Sequence, residues 1–199
     1  MKPIQVSFLG CVLALALFSL SACTTTTSKK VVGTNVPSNL ADFEGKWRYD
    51  LSTDRSDRKK ATDNSVTFNI KDATAGLLSV VTGEAKDKTE KGEQWCYLRT
   101  LGGKTFVSAT KDNDIYYFGL VVFTGDNSIV VVRPDNATFA RLVDSGVLRG
   151  NVTYDSQRKP GNIILEGLSE EECGKLFSGA YVDCFDWMHP LVFLRVPGS

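Results

Sequence analysis

Apolar and polar positions alternate with a period of two through much of the chain from residue 46 onward, the pattern of strands with one buried face. Trp47, Tyr49 and Leu51 alternate with Lys46, Arg48 and Asp50, and Val66, Phe68 and Ile70 alternate with Ser65, Thr67 and Asn69. Further strands are expected at Leu77 to Thr82, Trp95 to Leu101, Thr105 to Thr110, Ile115 to Thr124 and Ser128 to Arg133. Val147 to Tyr154, Asn162 to Glu166 and Leu191 to Val196 complete the set. Gly102-Gly103 joins two of these strands as a tight hairpin, because glycine supplies the positive φ such a turn needs. The charged stretches Thr53 to Asn64 and Lys86 to Lys91 read as solvated loops. Asp112-Asn113-Asp114 and Gly125-Asp126-Asn127 read as turns.

The period changes to that of a helix in two places. After Pro134-Asp135-Asn136, Phe139, Leu142 and Val143 share one face, and Gly146 is a natural stop. Ser169 with Glu172 three residues later forms a capping-box pattern, followed by Leu176 and Phe177 and ended by Gly179. Tyr116 to Phe123 is apolar on both faces. Tyr116, Phe118, Leu120 and Val122 lie on one side, and Tyr117, Val121 and Phe123 on the other. Such a strand needs cover on both sides, and one face is a candidate wall for a ligand cavity.

The N-terminal segment is a different kind of sequence. Lys2 precedes an apolar run from Phe8 to Leu20, too short to span a bilayer core that needs roughly 20 helical residues. It has the length of a signal-peptide core. Leu20-Ser21-Ala22-Cys23 resembles the lipobox of bacterial lipoproteins. The resemblance implies cleavage before Cys23, diacylglycerol on its thiol and an acylated amino terminus (palmitate being a common acyl group). More than one chain is needed for stable anchoring, at about 0.8 kcal/mol per buried methylene. By the sorting rules of that class, Thr24 implies the outer membrane, with the domain facing the periplasm. Residues 1–22 are therefore expected to be a signal peptide. Residues 23–39, poor in apolar side chains, are expected to be a lipidated flexible tether, and 40–199 the folded domain. As a random coil, residues 24–39 would reach roughly 20–24 Å.

Removing residues 1–22 takes only Lys2 from 23 basic and 23 acidic residues. A near-neutral, mixed surface argues against nucleic acid, which needs a basic stripe, and against a polybasic membrane patch. Beyond Cys11 and Cys23 the chain holds Cys96, Cys173 and Cys184. In an oxidising compartment three thiols allow one bridge. Cys173–Cys184 is favoured by short separation and by Gly174 and Gly179, with Cys96–Cys184 as the rival pairing. With His189 the sole histidine and no C-x2-C pair, no metal site or cofactor is expected.

Many short strands joined by hairpins favour a meander, and closing it into a barrel removes exposed edges. Gly45-Lys46-Trp47 resembles the Gly-x-Trp signature of the lipocalins, and Arg195 sits where that family often places an arginine across the tryptophan. The resemblance implies a mostly-β, up-and-down antiparallel barrel, here with two short helices that precede the final strand.

For chemistry, His189 is the one obvious general base, with Asp183 or Asp186 as its candidate acid; no Gly-x-Ser-x-Gly elbow accompanies it. Glu170-Glu171-Glu172 is explained by the dipole of a helix start. Asn136-Ala137-Thr138 and Asn151-Val152-Thr153 fit the glycosylation sequon, which carries little weight in a bacterial lipoprotein. The expected function is non-catalytic: a membrane-anchored barrel binding a lipid or other small apolar ligand through residues the sequence does not specify. The alternative is a structural or partner-docking lipoprotein whose barrel is filled.

Overall fold

The computed structural model of the protein describes residues 25–50, 65–82, 94–112, 114–125, 127–178 and 183–198. The signal segment, Cys23, the loops Thr53 to Asn64 and Lys86 to Lys91, Leu51 and Gly179 lie outside the described residues. Strands are β1 (Thr25–Ser28), β2 (Gly45–Tyr49), β3 (Ser65–Asp72), β4 (Leu77–Thr82), β5 (Gln94–Leu101) and β6 (Lys104–Asp112). They continue as β7 (Ile115–Phe123), β8 (Ser128–Val132), β9 (Gly150–Tyr154), β10 (Pro160–Leu165) and β11 (Leu191–Arg195). The helices are α1 (Asn136–Asp144) and α2 (Glu170–Phe177), and a 3-10 turn occupies Leu40–Phe43.

Strands β2 to β8 pair antiparallel with their chain neighbours, and β11 closes the ring between β8 and β2. The result is a closed antiparallel barrel of eight strands, of the lipocalin-like kind expected. Gly102 and Gly103 have φ of 55° and 72°, so the hairpin between β5 and β6 forms where only glycine is unstrained. The ring is interrupted once. The chain leaves between β8 and β11 and carries α1, β9, β10 and α2, which pack against the outside of the wall.

Alternation along each strand therefore feeds two cores instead of one. Trp47, Leu78, Cys96, Leu98, Val121, Ile129, Val131 and Phe193 fill the barrel. Phe106, Phe118, Leu120 and Val132 point outward and meet Phe139, Leu142, Ile163, Leu165, Leu176 and Phe185. Phe118 packs edge-on against Phe139 at 5.9 Å, Phe139 against Phe185 at 5.8 Å, and Phe185 stacks on Phe177 at 5.7 Å. This explains why β7 is apolar on both faces: each large side chain so buried contributes about 1.5–3 kcal/mol.

The stretch expected to be a tether is instead part of the sheet. Strand β8 pairs with only the Leu120–Phe123 half of β7, leaving the other half of that edge open. Strand β1 fills it, with Thr27 opposite Tyr117 and Ser28 opposite Tyr116. Its other edge pairs in parallel with β10, so Thr25–Ser28 is a central strand of four residues. Thr26, Thr27 and Ser28 are buried, and their hydroxyls donate to Asn136 Oδ1 at 2.7 Å, the Ile163 carbonyl at 3.2 Å and the Lys30 carbonyl at 2.7 Å. Beyond it, Gly33 lies so close to the wall that a Cβ would sit 2.6 Å from Arg99 Cβ, and its φ is 101°. Asn35 then pairs with Thr100 on the edge of β5 that β4 leaves uncovered. Residues 25–39 thus close two gaps in the wall, satisfying backbone groups that would otherwise be orphaned. The described fold therefore includes the sheet residues ahead of residue 40.

Both helices start as the sequence predicts. Asp135 Oδ1 accepts from the Thr138 amide at 2.8 Å, and Gly146 follows α1 with φ 72°. In α2 the Ser169 hydroxyl accepts from the Glu172 amide at 3.2 Å while Glu172 accepts from the Ser169 amide at 2.8 Å. Glu172 does more than cap. Arg149 reaches it through Nε at 3.1 Å and Nη2 at 3.3 Å, joining α2 to the segment before β9. Burial alone would raise its pKa, but the hydrogen bonds from Arg149 and Ser169 outweigh it and hold the carboxyl at about 2, against 4.5 unperturbed. A lowered folded pKa means this stabilisation is complete above pH 4.5 and lost as pH falls toward about 2. Glu172→Gln is expected to cost about 1–3 kcal/mol at pH 7. The difference from the parent should shrink as the pH is lowered from 5 to 2.5, read from urea midpoints along that series.

Candidate functional site

The barrel has a floor and a mouth. The floor is built from the start of β2 and the end of β11. Trp47 is 1% exposed, and its Nε1–H donates to the Phe43 carbonyl at 2.9 Å. Register puts Arg195 opposite Trp47 across the β2–β11 pair, and its guanidinium lies 4.4 Å from the indole ring centroid. Arg195 Nη1 donates to the Glu44 carbonyl at 3.0 Å and Nη2 to the Asp42 carbonyl. These bonds clamp the 3-10 turn across the barrel end, where Phe43 meets Phe123 edge-on at 4.7 Å. The tryptophan–arginine pair expected from Gly45-Lys46-Trp47 and Arg195 is therefore assembled as that resemblance implies.

At the mouth, strand ends are joined by residues 51–64 and 83–93, which lie outside the described residues. Below it runs an apolar cavity of about 50 Å³, rimmed by Gln94, Trp95 and Leu191. A second void of about 30 Å³ reaches down to Phe43, Val121 and Ile129. Phe68, Cys96, Val107, Val131 and Phe193 line both, so the two voids are neighbours along an apolar track of side chains between mouth and floor. The face of β7 proposed as a cavity wall contributes Val121. Sites for drug-sized ligands measure about 300–1,000 Å³. This interior, as folded, is nearly filled by its own side chains.

The predicted disulfide is absent. Cys96, Cys173 and Cys184 are free and buried. Cys173 on α2 donates to the Leu101 carbonyl at 3.4 Å, and Cys184 to the Leu176 carbonyl at 3.6 Å. Both belong to the outer core, where each thiol faces a backbone acceptor rather than the other sulfur. The rival pairing also fails, because Cys96 points into the barrel while Cys184 lies outside its wall. Burial pushes the thiols up to about 12, 11 and 12 respectively, so all three remain protonated at neutral pH. Short sequence separation suggested the pair, but helix packing aims the side chains elsewhere.

His189 and Asp186 do come together, with Nδ1 at 3.1 Å from both carboxylate oxygens. They sit on an open turn where the imidazole is 70% exposed. Asp183 is exposed and is not among the groups bonded to His189. The first turn of α2 carries Glu170 and Glu171, and Glu171 pairs with Lys175 at 2.7 Å.

Sequence reasoning missed a third cavity, of about 180 Å³, on the outside of the barrel. Thr25, Thr26, Arg133, Asp135, Asn136 and Asp186 line it, where β8 departs and β1 enters. Its signal was present only in the chain crossing, which no local pattern encodes. Comparison with protein-family models, with curated proteins and with solved structures finds no match. The lipocalin-like description therefore rests on the barrel itself.

Proposed function

We propose that the protein is a non-catalytic lipoprotein, lipidated at Cys23 and held at the outer membrane on its periplasmic side, whose barrel accepts a slender apolar group through its mouth. The observation that supports binding is the apolar track of two neighbouring voids, one rimmed by Trp95 and Leu191 and the other reaching Phe43 at the floor. Its lining offers a charged ligand no partner and would solvate an acyl chain end or similar hydrocarbon. A chain of that kind would need the mouth side chains to part.

The second reading, a structural or partner-docking lipoprotein, is favoured by the small volume of the same track. Native mass spectrometry of the mature lipidated protein released from membranes in detergent, before and after solvent extraction, separates the two. The shorter unit from residue 40 is unsuitable, because it would lack β1. Adducts of hydrocarbon-bearing mass that extraction removes are the expected result. An unliganded mass in both states would favour the structural reading.

A further inference from the structure

The chain leaves the described fold at Thr25, and that exit has neighbours. Thr25 and Asp186 line one cavity, and the Asp186 amide donates to the Arg133 carbonyl at 2.8 Å. Asp186 opens a turn that presents two apolar side chains in succession, Trp187 at 47% and Met188 at 84% exposure. The turn is pinned from within. Trp187 donates its amide to the Phe185 carbonyl at 3.0 Å, Met188 its amide to Asp186 Oδ1 at 3.2 Å, and His189 packs onto the same carboxylate. Trp95, another exposed large aromatic, has Lys71 over its ring, and Tyr154 is bonded to Asp144. Trp187 and Met188 are held out into solvent side by side.

We propose that Trp187 and Met188 form a wedge that enters the headgroup–acyl boundary of the bilayer to which Cys23 is attached. The proposal rests on the lipidation of Cys23 proposed above. One residue, Thr24, lies between Cys23 and Thr25, and two steps of 3.8 Å keep their Cα atoms within about 8 Å of each other. With β1 buried in the sheet there is no spacer, so an acylated Cys23 brings this side of the molecule to the membrane surface. Tryptophan is favoured at that depth because its ring is amphipathic. An apolar wedge also adds a second membrane contact to the acyl chains. The turn runs directly into Leu191 at the rim of the inner track, so the wedge would seat the barrel mouth near the lipid headgroups.

The test uses the full mature protein extracted from membranes and reconstituted in phosphatidylethanolamine–phosphatidylglycerol vesicles containing brominated acyl chains. Trp187→Phe removes one of three tryptophans at an exposed position, where folding is not at stake. The expected result is bromine quenching of the parent's emission, at least about half of which disappears in W187F, as interfacial burial of that ring requires. Intact mass reports lipid on Cys23 separately. Lipid present with quenching unchanged in W187F would overturn the wedge and leave the lipidation standing. No lipid mass would defeat the lipidation itself, and the wedge with it.

Discussion

Trp47→Ala should lower the unfolding free energy by about 3–5 kcal/mol, the range for removing a large aromatic from a packed core. The site concentrates three interactions: full burial, the Nε1–H bond to Phe43 and the Arg195 guanidinium over the ring. Alanine abolishes all three and leaves a hole at the barrel floor. Trp47→Phe keeps a ring and removes the donor, so it should cost less, about 1–3 kcal/mol with the Phe43 carbonyl left without that donor. Arg195→Ala should fall in the same intermediate range, since it frees the carbonyl of Asp42 in the 3-10 turn and that of Glu44 just after it. Urea unfolding followed by near-ultraviolet circular dichroism would order the three variants. Equal stability of W47A and the parent would mean that the floor does not hold the barrel shut.

The second large effect is expected at Thr27→Pro. Thr27 is 1% exposed and paired on both sides, to β7 and to β10. Proline removes an amide from a central strand and imposes a backbone that the ladder does not tolerate, leaving a buried acceptor unpaired at about 1–3 kcal/mol before any strain is added. The loss should be regional before it is global. Amide hydrogen exchange is expected to accelerate along β1, β10 and the Tyr116–Tyr117 end of β7, while β2 to β5 keep their protection. Uniform acceleration would show one cooperative unit. No change would place β1 outside the stable fold, as the tether reading held.

Much of the barrel was legible because alternation is a local signal. Val66, Phe68 and Ile70, or Trp95 to Leu101, could be assigned to strands without knowing their partners. Both helix starts were legible for the same reason, since Asp135 and Ser169 cap within three residues of themselves. Trp47 and Arg195 were paired through a resemblance, and the register of β2 against β11 bears that pairing out. The misses share one cause: they depend on distant chain. Thr25-Thr26-Thr27-Ser28 is polar and reads as linker, yet threonine suits a strand whose hydroxyls are satisfied by Asn136 and Ile163. Nothing near residue 27 announces that β8 will stop short of covering β7. Cys173 and Cys184 were close in sequence and share a core, but the direction of a side chain on a helix is set by its packing. The volume of the inner track was equally hidden, since it depends on how side chains from several strands interdigitate.

The placement of β1 also orders events in time. Its strand partners are β7 and β10, and its register with β10 joins Thr25 to Asn162 and Ser28 to Leu165. The first described strand to be synthesised can therefore complete its pairing only after residue 165 has emerged. Until then β1 has at most one of its two neighbours, and contacts of such long sequence separation form slowly. The barrel hairpins can close early, whereas the amino-terminal strand is among the last pieces set into the wall.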